Sequence, residues 1–214
     1  MPGSLKLKVC GMTDAENLRQ VSELRPEMLG LVFVEGSPRR VARGDEALAD
    51  AVRSLPGTIT TVGVFCQESP ERISGVVRRF GLRAVQLHGG ESGEDAEAIR
   101  ALLPDISIIR AVSVKGEGDI AVLSALPNPG DLYLLDSGRG GSGEPFCWEW
   151  LRSYTAPTGF LLAGGLGPRN VAEARRCVAA CRSCVGFDIN SRVERQPGIK
   201  DVESVRDFKR GMSQ

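Results

Sequence analysis

The sequence predicts an α/β protein with a single domain over residues 1–214, folded as a closed (β/α)8 or TIM barrel. Short apolar runs rich in Val, Ile and Leu recur along the chain with amphipathic stretches between them. That is the pattern of parallel strands buried on both faces and covered by helices. Eight such units of roughly two dozen residues, with no hairpin signal, favour closure over an open doubly wound sheet, which would also alternate strand with helix. No run of Pro, Gly or Ser is long enough to link two domains, and Pro-Asn-Pro-Gly at 127–130 reads as a turn.

Strands are expected at residues 5–10, 28–33, 59–65, 84–88, 106–112, 132–136, 160–163 and 185–189. Runs such as ITTVGVF and LYLLD carry too many apolar or β-branched residues for a half-exposed strand. Helices are expected in DAENLRQVSEL, DEALADAVRSL, SPERISGVVRRF, GEDAEAIRALL and GPRNVAEARRCVAAC, and a final one from about Val202. Several open on Asp or Ser, whose side chains can accept from the unpaired N–H groups of the first turn. Trp148 and Trp150, flanking Glu149, are expected in an outer helix packed on the barrel rather than stacked on a substrate.

Lys plus Arg equals Asp plus Glu at 27 each, and like charges form no long run. A polybasic arm or acidic tail is therefore excluded, and with it the usual electrostatic case for nucleic acid or membrane partners. The opening MPGSLKLKVCG has no apolar stretch of signal-peptide length and no later segment approaches a membrane span, so a cytoplasmic location is expected. The six cysteines are expected as reduced thiols.

In such a barrel the active site forms at the C-terminal ends of the strands. Cys10-Gly11 ends the first, Ser37-Pro38-Arg39 follows the second, Gln86-Leu87-His88 ends the fourth and Asp136 the sixth. Most free cysteines are inert small hydrophobes, but one at a catalytic strand end invites a reactive reading. A thiol, ordinarily near pKa ~8.5, needs only a modest downward shift to supply a thiolate that takes a proton from carbon. Asp136 offers the complementary acid; its alternative is a cap or a salt bridge to Arg139. Two glycine clusters, Gly140-Gly141-Ser142-Gly143 and Gly164-Gly165, follow the sixth and seventh strands. Glycine lets backbone N–H groups approach an anion, so both suit a phosphate, although each alone could be a tight turn.

The segments KVCGMT, GLVFVEGSPRRV, TVGVF, VQLHGGE, LLDSGRGGSGEPFCW, LLAGGLGPRNV and GFDINSRVERQPGIKD together resemble the phosphoribosylanthranilate isomerases over essentially the whole chain. The resemblance implies an Amadori rearrangement in tryptophan biosynthesis without metal or organic cofactor. Asp136 would act as general acid and Cys10 as general base. Arg39 would pair with the anthranilate carboxylate, where a planar fork makes two parallel hydrogen bonds. Asp188 would orient the site, and phosphate would lie against Gly141, Ser142, Gly143, Gly164, Gly165, Asn190 and Ser191. The resemblance further implies a phosphosugar ligand bearing anthranilate, and the expected assembly is a monomer or homodimer. One departure stands out: Arg192 occupies a position usually held by glycine, which would strain the backbone if a positive φ were required there, or would alternatively add a charge near the phosphate.

Two further signals have bland explanations. Cys177, Cys181 and Cys184 have a spacing found in iron–sulfur proteins, but two fall at i and i+4 on an expected helix and the third near the start of the eighth strand, on the stability face. His88, the lone histidine, is expected to shape the pocket floor rather than to act as acid or base. Among competing functions, a phosphosugar epimerase would want several metal-binding histidines. A dual-substrate isomerase would normally carry aspartate in place of Cys10, and a catalytically dead barrel would have lost the acid or the base.

Overall fold

The structure, a computed structural model, describes residues 5–125, 130–137 and 146–213. Eight parallel strands close into a barrel in chain order. They are β1 (Lys6–Val9), β2 (Met28–Val32), β3 (Thr60–Phe65), β4 (Ala84–Leu87), β5 (Ser107–Ser113), β6 (Leu132–Asp136), β7 (Phe160–Leu162) and β8 (Cys184–Ile189). Closure comes from β1 pairing with β8 as well as with β2, with Lys8 directly opposite Asp188. A small antiparallel ribbon, β9 (Glu194–Gln196) with β10 (Ile199–Lys200), follows the barrel. The sequence pattern did not announce it.

Helices α1 (Ala15–Ser22), α2 (Glu46–Arg53), α3 (Pro70–Phe80), α4 (Gly93–Leu102), α5 (Glu117–Ala125), α6 (Val171–Val178) and α7 (Val202–Ser213) lie outside the strands. Asp14, Asp45, Ser69 and Ser92 cap the first four, each accepting from an N–H three residues on. Ser92 and Asp95 complete a reciprocal capping box. After β6, where an outer α-helix was expected, the described segment is a single 3-10 helix, Trp148–Ser153. Trp148 is buried there and Trp150 stacks on Phe146, so both tryptophans pack the barrel wall.

The alternation of the strands sorts two cores. Leu7 and Val9 on β1, with residues such as Phe65, Phe160 and Phe187, fill the layer between barrel and helices. Val62, Ala84, Ile109, Leu134, Leu161 and Ala163 point inward and fill the barrel itself. The same alternation sends Lys8, Cys10, Gln86, Asp136 and Asp188 to the interior near its catalytic end. Among the described residues, no helix is long and apolar enough to cross a membrane.

The cysteine triplet is placed slightly differently from expectation. Helix α6 ends at Val178, so Cys177 is helical but Cys181 lies beyond it. Ala179 and Ala180 offer no stripe to extend the apolar face, and Cys181 N–H bonds back to the Val178 carbonyl in a tightening turn. Cys184 begins β8 and is buried. Among the described residues, no group of three His, Cys, Asp or Glu side chains is disposed to hold a metal ion.

Candidate active site

At the C-terminal end of the barrel a cavity of about 500 Å³ opens. Cys10, Arg39, His88, Asp136, Gly164, Gly165, Asp188, Asn190 and Ser191 all line it, so every candidate within the described residues reaches one space. Gly141, Ser142 and Gly143, like Arg139 and residues 127–129, lie outside the described residues.

Cys10 follows β1 and is 5% exposed. Its backbone N–H donates to the Ile189 carbonyl at 2.9 Å, tying the strand end to β8. Room for the sulfur is provided by Gly30 on β2, where an added Cβ would stand 2.8 Å from Sγ. The electrostatics differ from the expected modest depression. Burial pushes the Cys10 thiol up, the Lys8 ammonium draws it down, Asp188 opposes that, and Lys200 assists it. Desolvation wins because the sulfur is enclosed, a circumstance the strand-end position did not reveal.

Beneath Cys10, Lys8 is fully buried with Nζ 2.7 Å from Asp188 Oδ1. Burial pushes the Asp188 carboxyl up, against the pull of Lys8. Asp188 therefore faces the cavity already paired. Across the barrel, Asp136 Oδ1 accepts from Ser137 N–H at 2.7 Å, which fixes the carboxylate plane. Gly164, at φ +84°, passes so close that a Cβ would lie 2.8 Å from Asp136 Oδ1 and 2.9 Å from Ser137 N. Its lack of a side chain thus makes space for Asp136 as well as permitting the left-handed turn. Gly165 also has positive φ, +65°, and Asn170 fastens this loop, donating to the Gly165 carbonyl and accepting from Gly167 N–H, both at 2.9 Å.

His88 is not on the floor. Its side chain is 38% exposed at the rim, with Nε2 3.9 Å from Asp136 Oδ2. The buried side chain is Gln86, one pleat below, whose Nε2 stands 3.1 Å from His88 Nδ1. Gln86 Oε1 has no hydrogen-bond partner and lies in the cavity wall, a polar residue that sequence reasoning passed over although it sits two places before His88. Strand alternation was the signal that could have found it.

Arg39 is neither solvated nor waiting with its whole fork open. Its side-on edge holds Glu194, Nε to Oε1 at 2.9 Å and Nη2 to Oε2 at 2.7 Å. Glu194 also accepts from buried Lys200 at 2.5 Å and from Gly198 N–H at 3.1 Å. Burial works to raise the Glu194 carboxyl, but the Arg39 and Lys200 contacts hold it below the usual carboxylate range. Lys200 continues to Asn190 Oδ1 at 2.7 Å, so β9 and β10 brace the cavity wall. The Glu194 contacts engage Nε and Nη2 of Arg39 and do not involve its Nη1. In the same cavity, Val32, Val34 and Val64 form an apolar patch with Cys10.

The loop after β8 resolves the question of Arg192. Ser191–Val193 is a 3-10 turn, and the only non-glycine residues of positive φ among those described are Arg25 and Gln67. Arginine therefore causes no backbone strain there. Arg192 packs its stem near Gly167 and does not line the cavity.

A family model described as N-(5'phosphoribosyl)anthranilate (PRA) isomerase matches residues 7–210. The chain is 35% identical over 205 residues to an N-(5'-phosphoribosyl)anthranilate isomerase from Microcystis aeruginosa, covering 94% of each. It superposes on the crystal structure of phosphoribosyl anthranilate isomerase from Thermus thermophilus with a TM-score of 0.83 at 30% identity, covering 98% of both chains. A second solved relative holds reduced 1-(o-carboxyphenylamino)-1-deoxyribulose 5-phosphate; it matches at TM-score 0.76 and 29% identity, again over 98% of both chains. Fold, cavity and these likenesses agree, and the chain belongs to the N-(5'-phosphoribosyl)anthranilate isomerase family, enzymes of tryptophan biosynthesis.

Proposed function

We propose that this isomerase converts N-(5'-phosphoribosyl)anthranilate to 1-(2-carboxyphenylamino)-1-deoxyribulose 5-phosphate by general acid–base catalysis, with Asp136 as acid and Cys10 as base. The observation that carries the reading is the meeting of Cys10, Asp136 and Arg39 in one cavity beside an apolar patch. Asp136 protonates the furanose ring oxygen, and the ring carbon–oxygen bond breaks to leave a protonated Schiff base on the anthranilate nitrogen. The cation acidifies the neighbouring sugar carbon. Cys10 as thiolate takes that proton, and the electron pair flows to nitrogen, giving an enolamine that tautomerises to the ketone.

Binding follows the same geometry. The aromatic ring rests on Val32, Val34 and Val64, and its carboxylate meets the end-on edge of Arg39, which Glu194 holds in place. Phosphate lies at Gly164, Gly165, Asn190 and Ser191, with Gly141, Ser142 and Gly143 completing the site. Backbone N–H groups carry that contact, since no lysine stands in either glycine cluster. Asp188 orients the sugar.

The test is the loss of substrate fluorescence under purified protein. Cys10→Ala and Asp136→Asn should each abolish turnover while retaining product binding, because each removes one proton-transfer group. Near-parental turnover in either variant rejects the assigned roles.

A further inference from the structure

Lys8 takes no part in the acid–base scheme, yet its ammonium lies in the middle of the barrel. It precedes Cys10 by two residues, so the alternation of β1 directs both side chains inward while Leu7 and Val9 face the helices. Its side chain is completely buried, and the β1–β8 register sets it opposite Asp188 at 2.7 Å. The charge of its ammonium also draws the Cys10 thiol down, toward the thiolate. A methionine would fill the same volume without desolvating a charge, and buried ion pairs rarely stabilise more than well-packed apolar residues. Packing therefore gives no reason for a lysine at this position.

The chemistry does. The charged groups around Cys10 are Lys8 from β1, Asp188 from β8 and Lys200 from β10. Asp136 on β6 acts on Asp188 from across the barrel. The nearest parts of β2, β3 and β4 contribute Gly30, Val32, Val64 and Gln86, which carry no charge, and His88 stands at the rim beside Asp136. Lys200 is held by Glu194, which Arg39 also holds. Lys8, fully buried on the inward face of β1 two residues before the base, is thus the cation that β1 itself supplies to Cys10.

We propose that Lys8 is the counter-ion of the Cys10 thiolate and that Asp188 positions its ammonium beneath the sulfur. Lys8 keeps its proton throughout. The thiol proton leaves through the cavity, the thiolate forms beside the ammonium, and the proton later taken from sugar carbon restores the thiol. Lys8 and Asp188 are in this sense positioning residues for ionisation of the base. The inference rests on the reading of Cys10 as that base.

The test titrates Cys10 in folded, substrate-free protein through the pH dependence of its alkylation by iodoacetamide, read on the peptide that contains it. Lys8→Met should move the midpoint up by about one pH unit or more, roughly tenfold less thiolate at neutral pH. Asp188→Asn should move it down, since it removes an anion and leaves the ammonium to the sulfur alone. A packing role predicts no such opposed pair of shifts. An unmoved or lowered midpoint in Lys8→Met overturns the proposal. If Lys8→Met does not fold, Asp188→Asn, which keeps the side-chain shape, decides: a lowered midpoint supports the proposal and an unchanged or raised one overturns it. Because no turnover enters the titration, an active Cys10→Ala enzyme would reject the base assignment while leaving the Lys8 shift intact.

Discussion

Arg39 shows how one side chain is divided between fold and ligand. Glu194 occupies its Nε/Nη2 edge, so in the proposed binding mode the substrate carboxylate arrives end-on. Lysine at this position would offer a single point charge for Glu194 and the substrate to share. Arg39→Lys should raise the Michaelis constant at least tenfold, about 1.4 kcal/mol, with a smaller change in kcat. Parental kcat/KM in that variant would remove Arg39 from the carboxylate site. At this scale the sequence was informative where chemistry coincides with a motif: Cys10, Arg39, Asp136, His88 and Asp188 were all legible and all reach the cavity. It was silent on what each one touches. The Arg39–Glu194 and Lys8–Asp188 partners are 155 and 180 residues apart in the chain. Enclosure of Cys10, which reverses the expected direction of its shift, depends on Gly30 and β8 rather than on its neighbours in sequence.

Among the elements, the strands were read to within a residue or so of their observed ends because buried parallel strands leave a nearly continuous apolar run. Capped helices were equally plain. Helix α5 was not singled out, since Ile120-Ala121-Val122-Leu123 is apolar without a stripe and leaves Val122 58% exposed. The ribbon of β9 and β10 escaped notice because all its residues but Ile199 are polar and its register is set by Lys200, Asn17 and Glu194 rather than by alternation. Two loop predictions follow from the geometry. Gly164→Ala should cut kcat severely with the fold retained, as a Cβ 2.8 Å from Asp136 Oδ1 must displace the carboxylate proposed as the acid; kcat within twofold of the parent would show that the loop gives way instead. Arg192→Gly, by contrast, should leave product affinity unchanged to within about 0.5 kcal/mol, because the arginine is unstrained and lies off the cavity. Isothermal titration with the product distinguishes that outcome from the weakening, roughly 1.5–3 kcal/mol, expected of a lost phosphate contact.

At the scale of the whole molecule, strand β8 carries a residue of the candidate site at one end and a determinant of stability at the other. Pairing β1 with β8 brings Lys8 to Asp188, and at the opposite, N-terminal end of β8 the buried Cys184 pairs with Phe160 of β7. There burial pushes the Cys184 thiol up to about 12 from an ordinary 9.0. A group whose folded pKa exceeds its unfolded one stabilises the fold fully below the unfolded value and loses that contribution as pH rises toward the folded value. The window here runs from 9.0 to about 12. Across it the neutral buried thiol contributes on the order of 4 kcal/mol, and by pH ~10.5 about 2 kcal/mol of that is lost. Tyr154, whose hydroxyl is also raised by burial and bonds the Thr158 carbonyl at 2.7 Å, steepens the same alkaline limb. Urea unfolding at pH 8 and pH 10.5 under reducing conditions should therefore show a marked alkaline loss of stability in the parent. Cys184→Ala should be less stable than the parent at pH 8, through the cavity it leaves, yet fall by about 2 kcal/mol less between the two pH values. Equal losses in the two proteins would mean that this end of the barrel admits enough water to solvate the thiolate.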